Sequence, residues 1–177
     1  MTPSWAAAGP VATRTLSAAD FAVPIDGRYF EDYRAGAVYE YGYATVDEAE
    51  LLAFAQRFDP QPIHADAGLA AAGPFGGLIA SGWHTGAIFM RLFADHYLSR
   101  VASLASPGID ALRWPAPVRP GDTLRLRTTI TDTRRSRSKP DRGLVFTHGE
   151  LLNQDDRGVL SLTAMNLLKL RDPASRG

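Results

Sequence analysis

Residues 38–45 (VYEYGYAT) alternate aromatic and small side chains with a period of two, as a half-buried strand does. The period then changes. Thr45 followed by Glu48 reads as a capping box that opens a helix. Leu51, Phe54, Ala55 and Phe58 recur at i, i+3, i+4 and i+7, an apolar stripe set against Asp47, Glu50 and Arg57. Pro60 disfavours helical geometry at Asp59, so the helix is expected to stop there. Pro62 repeats the restriction and predicts a stiff loop over Asp59-Pro60-Gln61-Pro62-Ile63-His64. An Ala-rich turn (66–72) and the breaker Gly73-Pro74-Phe75-Gly76-Gly77 lead into a second helix, expected from about Ser81 to Leu98. Its first half is apolar nearly all round, which predicts a helix buried on most sides at the centre of the domain. From Pro107 onward the period returns to two, and strands are expected over Thr123 to Ile130, Leu144 to Leu152 and Val159 to Leu168. Turn signals at Arg119 to Asp122, Lys139 to Gly143 and Asp155 to Gly158 separate them, as an antiparallel meander requires. The pattern predicts an α+β fold with a helix packed on one sheet face.

Composition narrows the function classes. With 177 residues, 45% of them hydrophobic, the chain can bury the core of one domain. The expected division is a flexible tail over residues 1–26, the domain over 27–172 and a short tail over 173–177. Lysine plus arginine equals aspartate plus glutamate at 19 each, so no long-range field attracts nucleic acid or anionic lipid. The charges are uneven all the same: acidic residues prevail in the first 60 and arginine is frequent from 113 to 142, which leaves room for a local anion site. The chain has no cysteine, which removes disulfides, thiolate metal sites and cysteine nucleophiles, and fits a reducing compartment. The first 20 residues lack the basic start and continuous apolar stretch of a signal peptide, and the cytoplasm is the expected location. The longest apolar stretch, Leu78 to Ala94, is interrupted by Ser81, His84, Thr85 and Arg91 and is too short to cross a bilayer.

Candidate chemistry gathers around the double-proline segment. From spacing alone, Asp59 would tie the loop and His64 would be a satisfied half-buried histidine. His84 reads as a core histidine with one hydrogen bond, and His96 and His148 have no partner motif, so no metal site is expected. Trp83, Phe89 and Phe93 on the second helix read as core.

The run Phe58-Asp59-Pro60-Gln61-Pro62-Ile63-His64-Ala65-Asp66, followed by Phe75-Gly76-Gly77-Leu78-Ile79-Ala80-Ser81-Gly82, resembles the signature of the MaoC-like (R)-specific enoyl-CoA hydratases. Val118-Arg119-Pro120-Gly121-Asp122-Thr123 is also typical of that family, and the resemblance covers residues 27 to 170. It implies the hotdog fold, a curved antiparallel sheet wrapped around one long central helix. The family's commonest motif has Asn where this chain has Gln61, and His-Gly where it has Ser81-Gly82; both positions lie close to the substrate. The resemblance implies reversible addition of water to a trans-2-enoyl thioester of CoA or of an acyl carrier, giving the (R)-3-hydroxyacyl product. Asp59 and His64 would hold and activate the water, Asp59 as base, with Gln61 beside the substrate. At the start of the central helix, where amides are unpaired and the helix dipole favours negative charge, Gly82 would receive the thioester oxygen, with Ser81 as a second contact. No cofactor is expected beyond the CoA thioester as substrate. Arg135 and Arg137, in the basic segment 134–139, are candidate partners for CoA phosphates. A homodimer is expected, as are the alternatives of a hotdog thioesterase or a non-catalytic acyl-binding module. The usual acidic residue of the thioesterases is missing from Ser81 to Ala94.

Overall fold

The computed structural model describes Arg14–Thr15 and residues 21–173. Strands β1 (Arg14–Thr15), β2 (Val38–Thr45), β3 (Ser103–Ala105), β4 (Ile109–Arg113), β5 (Thr123–Arg135), β6 (Arg142–Leu152) and β7 (Gly158–Lys169) make one sheet. Its order is β1-β2-β5-β6-β7-β3, with β4 also on β7, and every pairing is antiparallel. Helices α1 (Glu48–Phe58), α2 (Pro62–Ala65), α3 (Ala67–Ala72) and α4 (Gly82–His96) all lie between β2 and β3 in the chain.

The meander has the expected three long strands, and their alternation places one set of side chains on the inner face. Leu124, Leu126 and Ile130 of β5 are wholly buried, as are Val145 and Leu151 of β6 and Leu160 and Leu168 of β7. Phe89, Leu92 and Phe93 of α4 pack into the same core. The sheet bends around this helix at Gly42, where the β2–β5 register slips and φ is +81°. A Cβ on Gly42 would lie 2.6 Å from Leu92 Cδ2, so this position needs both the glycine's conformation and its missing side chain. The arrangement is the hotdog fold, α+β in class.

The C-terminal end of α4 is fixed by groups that satisfy its last carbonyls. Arg28 Nη1 donates to the Tyr97 carbonyl at 3.0 Å, and the Tyr33 hydroxyl donates to the same oxygen at 2.8 Å. Burial pushes the Tyr33 hydroxyl pKa up to about 12, so it stays a donor. Tyr97 in turn shares a 2.7 Å hydrogen bond with Thr147 of β6. Anchored there, the helix presents its N-terminus at the opposite end of the sheet.

Several local expectations are corrected. Thr45 does not cap α1: it is still in β2, paired with Thr123, and Val46 N–H donates to Asp122. The strand holds the chain extended for two residues more, and Asp47 is the cap, its Oδ1 accepting from Glu50 N at 2.9 Å. Phe58, the last residue of the stripe, is 61% exposed and rests on Phe54 with ring centroids 5.1 Å apart. The stiff loop is half helix, because Pro62 sits at the N1 position and its fixed φ starts α2. Helix α4 ends at His96, short of Leu98, and its outer side is open, with Trp83 63% and Met90 48% exposed. The tail expected over 1–26 lies mostly outside the described residues, as does nearly all of 173–177. Its described part is packed: Phe21 stacks on Tyr39 with centroids 4.2 Å apart, beneath the Arg28 guanidinium.

Candidate active site

Asp59 is the C-cap of α1, its N–H donating to the Ala55 carbonyl, and Pro60 then forces the chain out of the helix. Five residues on, His64 lies in α2 and is buried. The α2 segment is tied to the chain entering α4 by two bonds, Ile79 N–H to the Ile63 carbonyl and His64 Nδ1 to the Ile79 carbonyl at 2.9 Å. A carbonyl can only accept, so Nδ1 carries a hydrogen and the ring turns its Nε2 edge the other way. That atom faces Asp59 Oδ2 at 3.6 Å.

Ser81 completes the junction. It is the N-cap of α4, fully buried, and its Oγ accepts from Trp83 N at 3.2 Å while donating to Asp59 Oδ2 at 2.6 Å. Gln61 Nε2 donates to the other carboxylate oxygen, Oδ1, at 2.7 Å. These two donors, Ser81 first, hold the Asp59 pKa below the ordinary carboxylate value, and burial only partly opposes them. Each oxygen has accepted one bond from them and keeps capacity for another.

Asp59, Gln61 and His64 open together onto one cavity of about 420 Å³, shared with Gly82 at the first turn of α4. The Gly82 amide makes no hydrogen bond to any described residue, as a first-turn amide can. Trp114 lies against this glycine: its Nε1 donates to the Gly82 carbonyl at 2.9 Å, and a Cβ there would stand 2.7 Å from Trp114 Cε2. Only glycine fits under the indole.

The structure thus brings Asp59, His64, Gln61, Ser81 and Gly82 to one place. The histidine is satisfied at Nδ1, as a purely structural histidine would be, yet its Nε2 shares the cavity with Asp59. Arg135 and Arg137 are not brought to it. Strand β5 leaves the site end of the sheet at Thr123 and runs 13 residues to Arg135, roughly 40 Å of extended chain. The basic segment therefore lies at the far end of the same sheet. Residues missed in the sequence are Thr85, buried on α4, and the stretch from Trp114 to Val118, which closes the cavity and bonds the chain before α4 through Ala80 N–H to the Val118 carbonyl. Pro115 and Pro117 stiffen that stretch just as Pro60 and Pro62 stiffen the other wall, and this was the available signal.

His84 also departs from expectation. It is buried against Phe54, ring centroids 5.0 Å apart, with neither ring nitrogen hydrogen-bonded.

Comparison with known proteins identifies the family. The family model described as "MaoC like domain" matches residues 34–145, more than half of the chain. The crystal structure of a MaoC-like dehydratase from Rhodospirillum rubrum is 39% identical, with a TM-score of 0.77, covering 82% of this chain and 99% of that one. A 3-hydroxyacyl-thioester dehydratase Z from Mycobacterium tuberculosis is 38% identical over 90 residues, 50% of this chain and 60% of that protein. The mesaconyl-CoA hydratase of Cereibacter sphaeroides is 31% identical over 157 residues, 84% of this chain but 43% of that protein. The chain thus spans no more than about 60% of the length of these two relatives. A MaoC motif whose residues meet at one cavity, a hotdog sheet around α4 and a family model matching more than half the sequence lead to one conclusion: the chain belongs to the MaoC-like domain family.

Proposed function

We propose that the protein is an acyl-thioester hydratase/dehydratase that adds water reversibly to a trans-2-enoyl thioester of CoA or of an acyl carrier. The observation that carries this reading is the shared cavity in which the Asp59 carboxylate and His64 Nε2 face each other 3.6 Å apart. A water that bridges them would be held by both side chains. In the hydration direction its oxygen bonds to C3 of the enoyl group while the Asp59–His64 pair takes a proton from it. The electrons of the double bond move onto the thioester oxygen, where the unpaired Gly82 amide at the helix N-terminus can receive the charge. The pair then returns the proton to C2 of the enolate, so one water is consumed and the pair is restored. Dehydration is the same path reversed. Family resemblance supports the (R)-3-hydroxyacyl thioester as the product.

Ser81 acts here through Asp59, by fixing its orientation and charge, more than as a second oxyanion contact. Gln61 does the same from the other oxygen.

A second copy of the chain is the expected partner. Trp83 and Met90, 63% and 48% exposed on the outer side of α4, are apolar side chains that a homodimer would cover.

The test is the loss of conjugated enoyl-thioester absorbance when purified protein meets crotonyl-CoA, with Asp59→Asn alongside. Turnover that falls at least ~100-fold in the variant is the expected result. Equal rates for the two proteins would overturn the assignment.

A further inference from the structure

The mouth and the floor of the cavity differ in exposure. Phe75, Trp83 and Trp114 are 40%, 63% and 43% exposed and form the mouth. The floor is buried and made of His64, Ile79, Ala80, Thr85, Ala116 and Val118.

Thr85 is the last residue of α4 that the cavity reaches. One turn further, on the same side of the helix, Phe89 is buried in the core. Its ring takes the room left by Gly149 of β6, where a Cβ would lie 2.5 Å from Phe89 Cζ. Phe93 stacks behind Phe89 at 5.4 Å, and Tyr97 behind Phe93 at 4.6 Å. This column of rings fills the space between helix and sheet that an acyl chain would need in order to run on past Thr85.

We infer that Phe89 is a specificity-determining residue that stops the acyl chain just beyond Thr85, and that the substrates are short, uncharged enoyl thioesters. The inference rests on the hydratase reading of the same site. Length follows from the plug. Charge follows from the lining, which contains no Lys or Arg: a carboxylate at the far end of the acyl group would be buried on a floor shared with Ile79, Ala80 and Ala116, with no lysine or arginine to pair it.

The experiment compares kcat/KM of the full chain for crotonyl-CoA, trans-2-hexenoyl-CoA, trans-2-decenoyl-CoA and mesaconyl-CoA, and measures binding of saturated butyryl-CoA and decanoyl-CoA by calorimetry. A fall of ~10-fold or more from crotonyl-CoA to decenoyl-CoA and to mesaconyl-CoA is expected, since single methylenes in a fitted pocket already count for this much. Phe89→Ala and the more conservative Phe89→Leu should raise the decenoyl-to-crotonyl ratio ~10-fold. The leucine variant keeps the test open if the alanine variant fails to fold. Decenoyl-CoA turned over as well as crotonyl-CoA by the unaltered protein would overturn the length limit, and equal use of mesaconyl-CoA would overturn the charge limit. Binding separates the two levels of the argument. No turnover of any enoyl thioester, with butyryl-CoA still bound more tightly than decanoyl-CoA, would sink the hydratase reading and leave the length limit standing. Equal binding of the two saturated esters would overturn the limit whatever the turnover.

Discussion

The Ser81 hydroxyl donates to Asp59 Oδ2 at 2.6 Å, joining the N-cap of α4 to the C-cap of α1 across 22 positions of sequence. One short bond sets both where the carboxylate points and how readily it takes a proton.

Ser81→Ala removes the strongest of the groups that lower the Asp59 pKa. The sign follows directly. A carboxylate whose pKa is held down stays ionised to lower pH, so loss of the donor moves its titration upward. The acid limb of the pH profile of kcat/KM is expected to move to higher pH, with kcat reduced about tenfold by the looser carboxylate. An unmoved acid limb would separate Asp59 from the titration that controls the rate.

Gln61→Ala removes the donor to Oδ1, which lies nearer solvent, so water can replace it. A loss of only about fivefold in kcat/KM is expected, the size of one ordinary hydrogen bond. The acid limb should shift in the same direction as in Ser81→Ala but less far. A larger shift from Gln61→Ala than from Ser81→Ala would reverse the ranking of the two donors.

Gly82→Ala places a methyl 2.7 Å from Trp114 Cε2 and must displace the indole or the helix start. The bond from Trp114 Nε1 to the Gly82 carbonyl is lost with it. A shift in tryptophan fluorescence and a fall in kcat of about 100-fold are expected, the latter from misaligning an oxyanion donor. Trp114→Ala in the same chain should relieve the clash and recover melting temperature. If kcat recovers in full as well, then Gly82 matters only as a small residue.

Both the candidate residues and much of the frame around them left local signals in the sequence. Asp59 and His64 stood out because two prolines leave their segment few conformations, a local restriction that survives any tertiary context. The long strands β5, β6 and β7 were legible for a similar reason: one buried face imposes a period of two. Strands β3 and β4 were not, since they are short, mostly exposed and carry little alternation. The first turn of α1 was misplaced because Thr45-Glu48 and Asp47-Glu50 both fit a helix start, and only the pairing of Thr45 with Thr123 decides between them. Trp114 meets Gly82 across 32 positions, a contact no local pattern encodes. The distance of Arg135 from the site was not legible for a geometric reason, since a hairpin tip sits wherever its strand ends.

His84 allows a test of stability apart from catalysis. Burial lowers its pKa below the ordinary 6.5, and neither ring nitrogen is hydrogen-bonded, so the folded protein holds it neutral. The unfolded chain protonates it at its ordinary pKa. Its neutral form is therefore compatible with full stability above about pH 6.5, and stability is lost as pH falls below that value toward the lower folded pKa. The side chain stacks on Phe54 of α1, the helix whose last turn carries Asp59, so acidification should loosen α1 first. His84→Leu keeps an apolar side chain against Phe54 and removes the titration. Melting temperatures at pH 8 and pH 5.5 are expected to differ less in this variant than in the unaltered protein. His96, whose pKa burial also lowers, remains in both proteins and cancels in the comparison. Equal acid sensitivity in the two proteins would show that His84 is reached by solvent and pays no penalty for its charge.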